Sequence, residues 1–427
     1  MTDVTERDRL ARRRRRDERR TRRAPKPREG DRDGNAGREH TPLLASRWGR
    51  LLVGAVVLIA LATAGGLIAL WPGGHAEAGA SQAFGGATTG ATVTRAFTRR
   101  CPGPTPQRCY LLAIRVDGGP PAQLTLGPVG VTSSFSAGDK IRVQRVTAPP
   151  GARNVEPYSF AGADRRGTLL WLAVAFAGLV IVLARWRGLL ALCGFAASVL
   201  LIVKFLVPAI LAGSPALLVA LVGALAVMFV TVGLTYGATP QSAAAILGIT
   251  VSLLFAASVG TLAVHAARLD GRSSDLATVL SQVNGRLSLQ GIVLAGLVLG
   301  ALGVLADMAV TQASAVMALR RTNPSLGPRR LYREGFAVGR DHLVATTHTL
   351  VLAYAGATLP LLLVLQSARV GTVDALNVQD LAEPIVATLV GAMALLVSVP
   401  LTTGLAALVV SRIPATALPD AGHAPHH

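Results

Sequence analysis

Between residues 167 and 411 the chain is an almost unbroken series of apolar runs, and this limits its fold more than any other feature. The runs occupy 167–184, 188–213, 214–237, 243–267, 291–319, 343–366 and 384–411, and an earlier one lies at 51–71. Each is long enough to take a helix across about 30 Å of hydrocarbon. In that medium every backbone N–H and C=O must be paired within its own segment, which favours helices. Composition agrees: 51% of residues are hydrophobic and 15% are charged, which excludes an ordinary soluble domain. The expected fold is an α-helical integral membrane protein with about eight transmembrane helices.

The formal net charge of +19 then has to sit in the ends and loops. Residues 1–50 form a basic arm without apolar period, including Arg12, Arg13, Arg14, Arg15 and Arg16. Such a segment is expected to be disordered. It can touch anionic lipid, or simply keep its side of the chain in the cytoplasm. No aromatic residues interleave the run and no nucleic-acid-binding fold accompanies it, so nucleic acid is not an expected partner. The 51–71 run reads as an uncleaved anchor, although the small residues after it offer cleavage positions at Ala78 or Ala80. Alternating sides from this anchor puts Arg185, Arg187, Arg320, Arg321, Arg340 and Arg412 with the arm, and leaves mixed charge in the opposite loops. That asymmetry predicts a plasma-membrane protein with both termini cytoplasmic, the last being a disordered tail over 412–427.

Residues 72–166 contain no spanning run. Short β-branched stretches at 91–98, 109–116, 122–129 and 140–146 alternate with turn residues, and Asp117-Gly118-Gly119 is a hairpin signal. A small extracytoplasmic β domain of four or five strands is expected between helices 1 and 2, with an OB-like barrel as one candidate. Cys101 and Cys109 flank a Pro-rich loop and are disulfide candidates outside the cytoplasm. Zinc-ligand spacing is missing, so no metal is expected there.

Chemistry concentrates in 296–356. At about 100° per residue, Gly296, Gly300, Gly303, Asp307, Thr311 and Ser314 fall within about 40° of one line. His342, Thr346, Thr349, Ala353 and Gly356 form a similar line on the next run. Small residues on one stripe allow another helix to approach closely, so Gly296, Gly300, Gly303 and Gly356 are helix-packing candidates. Asp307 lies roughly 24 Å from the outer end of its run. An ionised carboxylate inside a span costs about 2.5 kcal/mol or more unless it faces protein or water. It reads either as a buried site for a proton or cation, with Thr311, Gln312 and Ser314 as neighbours, or as a structural hydrogen-bonding residue. Asp341 and His348 share a helix face and are further candidates; Asp341 and His342 also read as helix-start residues, where an acid suits the helix dipole, and His348 could relay protons or ligate a cation with Asp307 or be a satisfied core histidine. Lys204 is expected to snorkel to the interface. No nucleophile elbow, phosphate loop, HExxH or paired intramembrane aspartates are present, so neither an enzyme nor a cofactor is expected.

At GVLADMAVTQASAV and GRDHLVATTHTLVLAYAGATLPLLL the chain resembles the YibE/F family of bacterial multi-span membrane proteins in its actinobacterial form. The matching positions are Asp307, Thr311, Gln312 and Ser314, then Gly339, Arg340, Asp341, Thr349, Leu350, Ala353, Tyr354 and Gly356. Ala306 stands where a polar or acidic residue is frequent, and His348 where Asn is common. The resemblance covers about 90–412 and implies a transporter-like integral membrane protein without an agreed substrate. The expectation is an ion-coupled permease for an unknown small solute or ion, with Asp307 as the coupling carboxylate. The competing expectation is a non-transporting scaffold or envelope-assembly factor that acts through its β domain.

Overall fold

The structure is a computed structural model, described here for residues 47–73, 88–101, 107–130, 132–146, 156–272 and 287–412. The basic run Arg12–Arg16, the cleavage positions and the 413–427 part of the tail lie outside the described residues.

Helix α1 (Arg47–Ala69) leads into a five-stranded sheet. Its strands are β1 (Thr88–Arg100), β2 (Arg108–Val116), β3 (Pro121–Pro128), β4 (Lys140–Arg145) and β5 (Tyr158–Ala163). All neighbours pair antiparallel, in the order β3-β2-β1-β4-β5. Alternation works as expected: Val93, Leu112, Ile114, Leu124, Ile141 and Val143 all point into one small apolar core. Gly118, with φ 74°, makes the β2–β3 turn. The two edges of the sheet approach each other, because the Glu156 carboxylate before β5 accepts from the Thr125 N–H (3.1 Å) and hydroxyl (2.6 Å) on β3. The result is a half-barrel. The fifth strand was the least legible of the five.

The remaining helices are α2 (Arg166–Leu201), α3 (Val207–Leu211), α4 (Ala216–Tyr236), α5 (Pro240–Ala266), α6 (Leu289–Thr322), α7 (Pro328–Ser367), α8 (Thr372–Leu376) and α9 (Gln379–Val410). Among the described residues seven helices are long and apolar enough to cross a membrane, with α2 and α3 counted as one 46-residue stretch through a π-helical turn at Ile202–Leu206. Where the sequence divides that stretch, at Arg185, the backbone adopts φ 52°, ψ −131°, and Gly188 comes against the Val180 carbonyl. A continuous helix would separate those residues by about 12 Å of rise, so the chain folds back sharply here.

Glycine contacts give the bundle its order. Gly248 and Gly260 on α5 meet Thr402 and Val390 on α9, so these helices run antiparallel. Gly260 also meets Leu297 on α6, and Gly335 and Gly339 on α7 meet Val316 and Gln312 on α6. The core lies between α4, α5, α6 and α9, around Met228, Ile249, Leu253, Leu305, Met308 and Val399, all without solvent exposure. Helix starts follow ordinary capping: the Thr239 hydroxyl accepts from Ser242 N–H before α5, and Ser288 from Gly291 N–H before α6. Helices α6 and α7 have 34 and 40 residues. At 1.5 Å per residue they measure about 51 and 60 Å, well beyond a 30 Å hydrocarbon layer. Hydropathy ends their runs near 319 and 343, but the hydrogen-bond ladder continues to Thr322 and starts again at Pro328.

Candidate functional site: an open carboxylate and a buried polar ladder

Asp307 sits on α6, but it is exposed on the flank of the bundle, not buried between helices. The same correction applies to its stripe. A Cβ added at Gly296, Gly303 or Gly356 would meet nothing within 4 Å, and at Gly300 only the Tyr354 hydroxyl, at 3.1 Å. The reason lies in α7: it presses on α6 through Gly335 and Gly339, and then lies on α9, where Leu350 meets Gly391. The stripe therefore stays exposed along α6, with Tyr354 of α7 beside Gly300.

Polar groups surround Asp307 at one end of the bundle. Asp307 and Arg187 both lie within electrostatic reach of the Tyr236 phenol at the end of α4. Gln241, at the start of α5, donates through Nε2 to the Ser314 hydroxyl on α6. Thr311 is exposed beside them. The turn at Arg185–Arg187, the end of α4 and the start of α5 thus converge on the Asp307 face. Tyr236 and Gln241 were not singled out from sequence, and Arg187 only as a marker of topology; closeness to predicted span ends was the one signal that could have marked them for the site.

Two other candidates are not brought to this face. His348 is exposed and lies nine residues beyond Gly339, hence on the opposite side of α7 by helical geometry. Asp341 is exposed and, among the described residues, reaches only Arg340, at 4.0 Å. An ion pair so open contributes about 0–1 kcal/mol, at the low end here. His342 carries a buried Nε2 without a partner.

Gln312 belongs to a different environment. It is fully buried, and its amide abuts Gly339 and accepts from the Thr403 hydroxyl at 3.0 Å. Its Nε2 has no partner, and neither do the buried hydroxyls of Ser252, Ser398 and Thr402. The register set by Gly248–Thr402 and Gly260–Val390 puts Ser252 opposite Ser398. A polar ladder thus runs through the α5–α9 seam and continues to Gln312. Each orphaned group costs roughly 1–3 kcal/mol. Of these residues only Gln312 was legible; the signal for the others was the i, i+4 pair Ser398 and Thr402 in an otherwise apolar run.

Elsewhere, a cleft of about 290 Å³ lies between α7 and α9, lined by Val351, Tyr354, Thr358, Leu381 and Thr388, and Asp307 is not among its lining residues. Among the described residues no group of three or more His, Cys, Asp or Glu could hold a metal ion. Cys101 and Cys109 form a disulfide across the β1–β2 loop, and Cys193 is an exposed free thiol.

No curated protein and no solved structure matches the chain. The profile of the YibE/F-like protein family matches residues 172–412, which takes in α4 to α9, most of α2, and every residue of the Asp307 face and the polar ladder. With more than half of its length matched and seven helices among the described residues fit to cross a bilayer, the chain is a membrane protein that belongs to the YibE/F-like family.

Proposed function

We propose that this protein is an ion-coupled permease in which Asp307 takes up and releases the coupling proton or cation while a small solute or ion crosses. The observation that carries this reading is an exposed carboxylate on the apolar flank of α6, within the electrostatic neighbourhood of Tyr236 and Arg187. Hydrocarbon does not tolerate a bare carboxylate, so a proton, a cation or water must reach it. The fold-back at Arg185 supports eight spans, and the arginine-rich turns support cytoplasmic termini in a plasma membrane. The test is proton flux in proteoliposomes under an imposed membrane potential. Asp307→Asn is expected to insert normally and to lose about tenfold or more of the flux; unchanged flux sinks the reading.

The scaffold reading has one observation in its favour. A five-stranded half-barrel in the order β3-β2-β1-β4-β5, with β3 tied to the approach of β5, fits an OB-type arrangement, and such domains serve as binding modules. On that reading, deletion of 85–160 abolishes function while Asp307→Asn preserves it.

A further inference from the structure

We propose that the β1–β2 hairpin docks on anionic phospholipid headgroups of the bilayer that the helices cross. Between Thr88 and Val116 the chain carries Arg95, Arg99, Arg100, Arg108 and Arg115 and no acidic residue. None of these five side chains has a hydrogen bond or ion pair among the described residues. At the tip Arg100 pairs in register with Arg108, and Arg99 with Cys109. Like charges directly opposite each other repel, and the Cys101–Cys109 disulfide holds them together all the same. A phosphate-bearing surface relieves that repulsion.

Topology decides where the arm lies. Ala163 at the end of β5 pairs with Ile141, and the neighbouring Lys140 pairs with Thr92 on β1. Thr92 is therefore level with the end of β5, two strand spacings or about 10 Å away. Helix α2 starts at Arg166, only two residues after β5. β1 and β5 both run antiparallel to β4, so they share a direction. Beyond Thr92, β1 continues for eight residues, about 26 Å, in the sense in which β5 enters α2. The bulge between Val93 and Arg95 and the sheet twist turn that arm aside. With only two residues between β5 and α2, the arm is kept near the surface from which α2 departs, which is where the proposal puts it. Exposed Val129, whose N–H donates to the Arg108 carbonyl, adds an apolar contact at the tip.

The experiment places the full chain in nanodiscs of phosphatidylcholine, alone or mixed with phosphatidylglycerol, and follows amide exchange across 95–111. Each arginine near an anionic surface is worth about fivefold in local equilibrium. Exchange is therefore expected to slow by about tenfold or more with phosphatidylglycerol, and to recover in R95Q/R99Q/R100Q/R108Q and in high salt. A variant with K140Q and R145Q, off the arm, keeps the lipid response. If the quadruple variant loses its disulfide-bonded sheet, Arg100→Gln alone is read for a partial recovery. Equal exchange in the two lipids overturns the proposal. So does slowing that survives the quadruple substitution, or a response to a soluble anionic polymer but not to phosphatidylglycerol.

Discussion

Two groups of glycines in the same bundle behave in opposite ways. Gly248, Gly260, Gly335 and Gly339 are places where a neighbouring side chain fills the space a Cβ would need. Gly296, Gly303 and Gly356 lie on equally regular stripes and meet nothing. Helical periodicity tells which residues share a line; it does not tell whether another helix comes to that line. The first group welds α5, α6, α7 and α9 together through filled, close contacts. The second leaves one flank of α6 open, with Asp307 in it.

The comparison breaks most easily on its packed side. Gly248→Val would drive a branched side chain into Thr402 and is expected to destabilise by about 3 kcal/mol. A thermal melt in detergent reads this, and a wild-type midpoint would mean that α5 and α9 are not in close contact. Next comes Gln312→Ala, which removes the Thr403 bond and leaves a cavity, for a loss of about 2 kcal/mol. Gln312→Met fills the space and removes the orphaned Nε2, so it is expected to be close to neutral. A Met variant as damaged as the Ala variant would show that the amide is satisfied in the membrane. On the open side, Gly303→Leu is expected to stay within about 0.5 kcal/mol. If it instead changes the assembly state on size exclusion, a second chain covers the stripe.

The smallest effect concerns the turn after α5. The Arg272 N–H donates to Asp270 at 3.0 Å and, with lesser contributions, holds this exposed carboxyl below its usual range. A lowered value means that the contact helps above the ordinary carboxylate range and is lost only as pH falls through the lowered value. The protection factor of the Arg272 amide, its exchange relative to the intrinsic rate at each pH, should thus stay constant from neutral pH to about pH 5 and fall only in stronger acid. In Asp270→Asn that acid response should disappear.

Spans, turns and four strands were readable because each leaves a period or a punctuation mark in the chain. Gly118 marks its hairpin through a positive φ, and the runs on either side of Arg185 break where two arginines interrupt apolar sequence. β5 was harder, since Tyr158–Ala163 is short and carries Gly162 in an unusual backbone conformation. For the candidate site the limit was one of contact. Asp307 was marked by rarity, Ser314 by its stripe, and Gln312 by its place beside them. Ser252 and Thr402 look like ordinary small residues until the α5–α9 register brings their seam together. The exposure of Asp307 depends on where α7 leans, which follows from Gly391 and Leu350 far along the chain.

The overhang of α6 and α7 has a mechanical meaning. α7 is one rod of 40 residues, gripped near Gly335 and Gly339, with Tyr354 beside Gly300 farther along. If such a rod pivots by about 10° around its middle, each end moves by roughly 5 Å, given its 60 Å length. The arginine-rich turn between α6 and α7 is then the handle of a lever. On such a pivot, a load on Arg329 and Arg330 would be felt along α7 as far as Tyr354, beside Gly300.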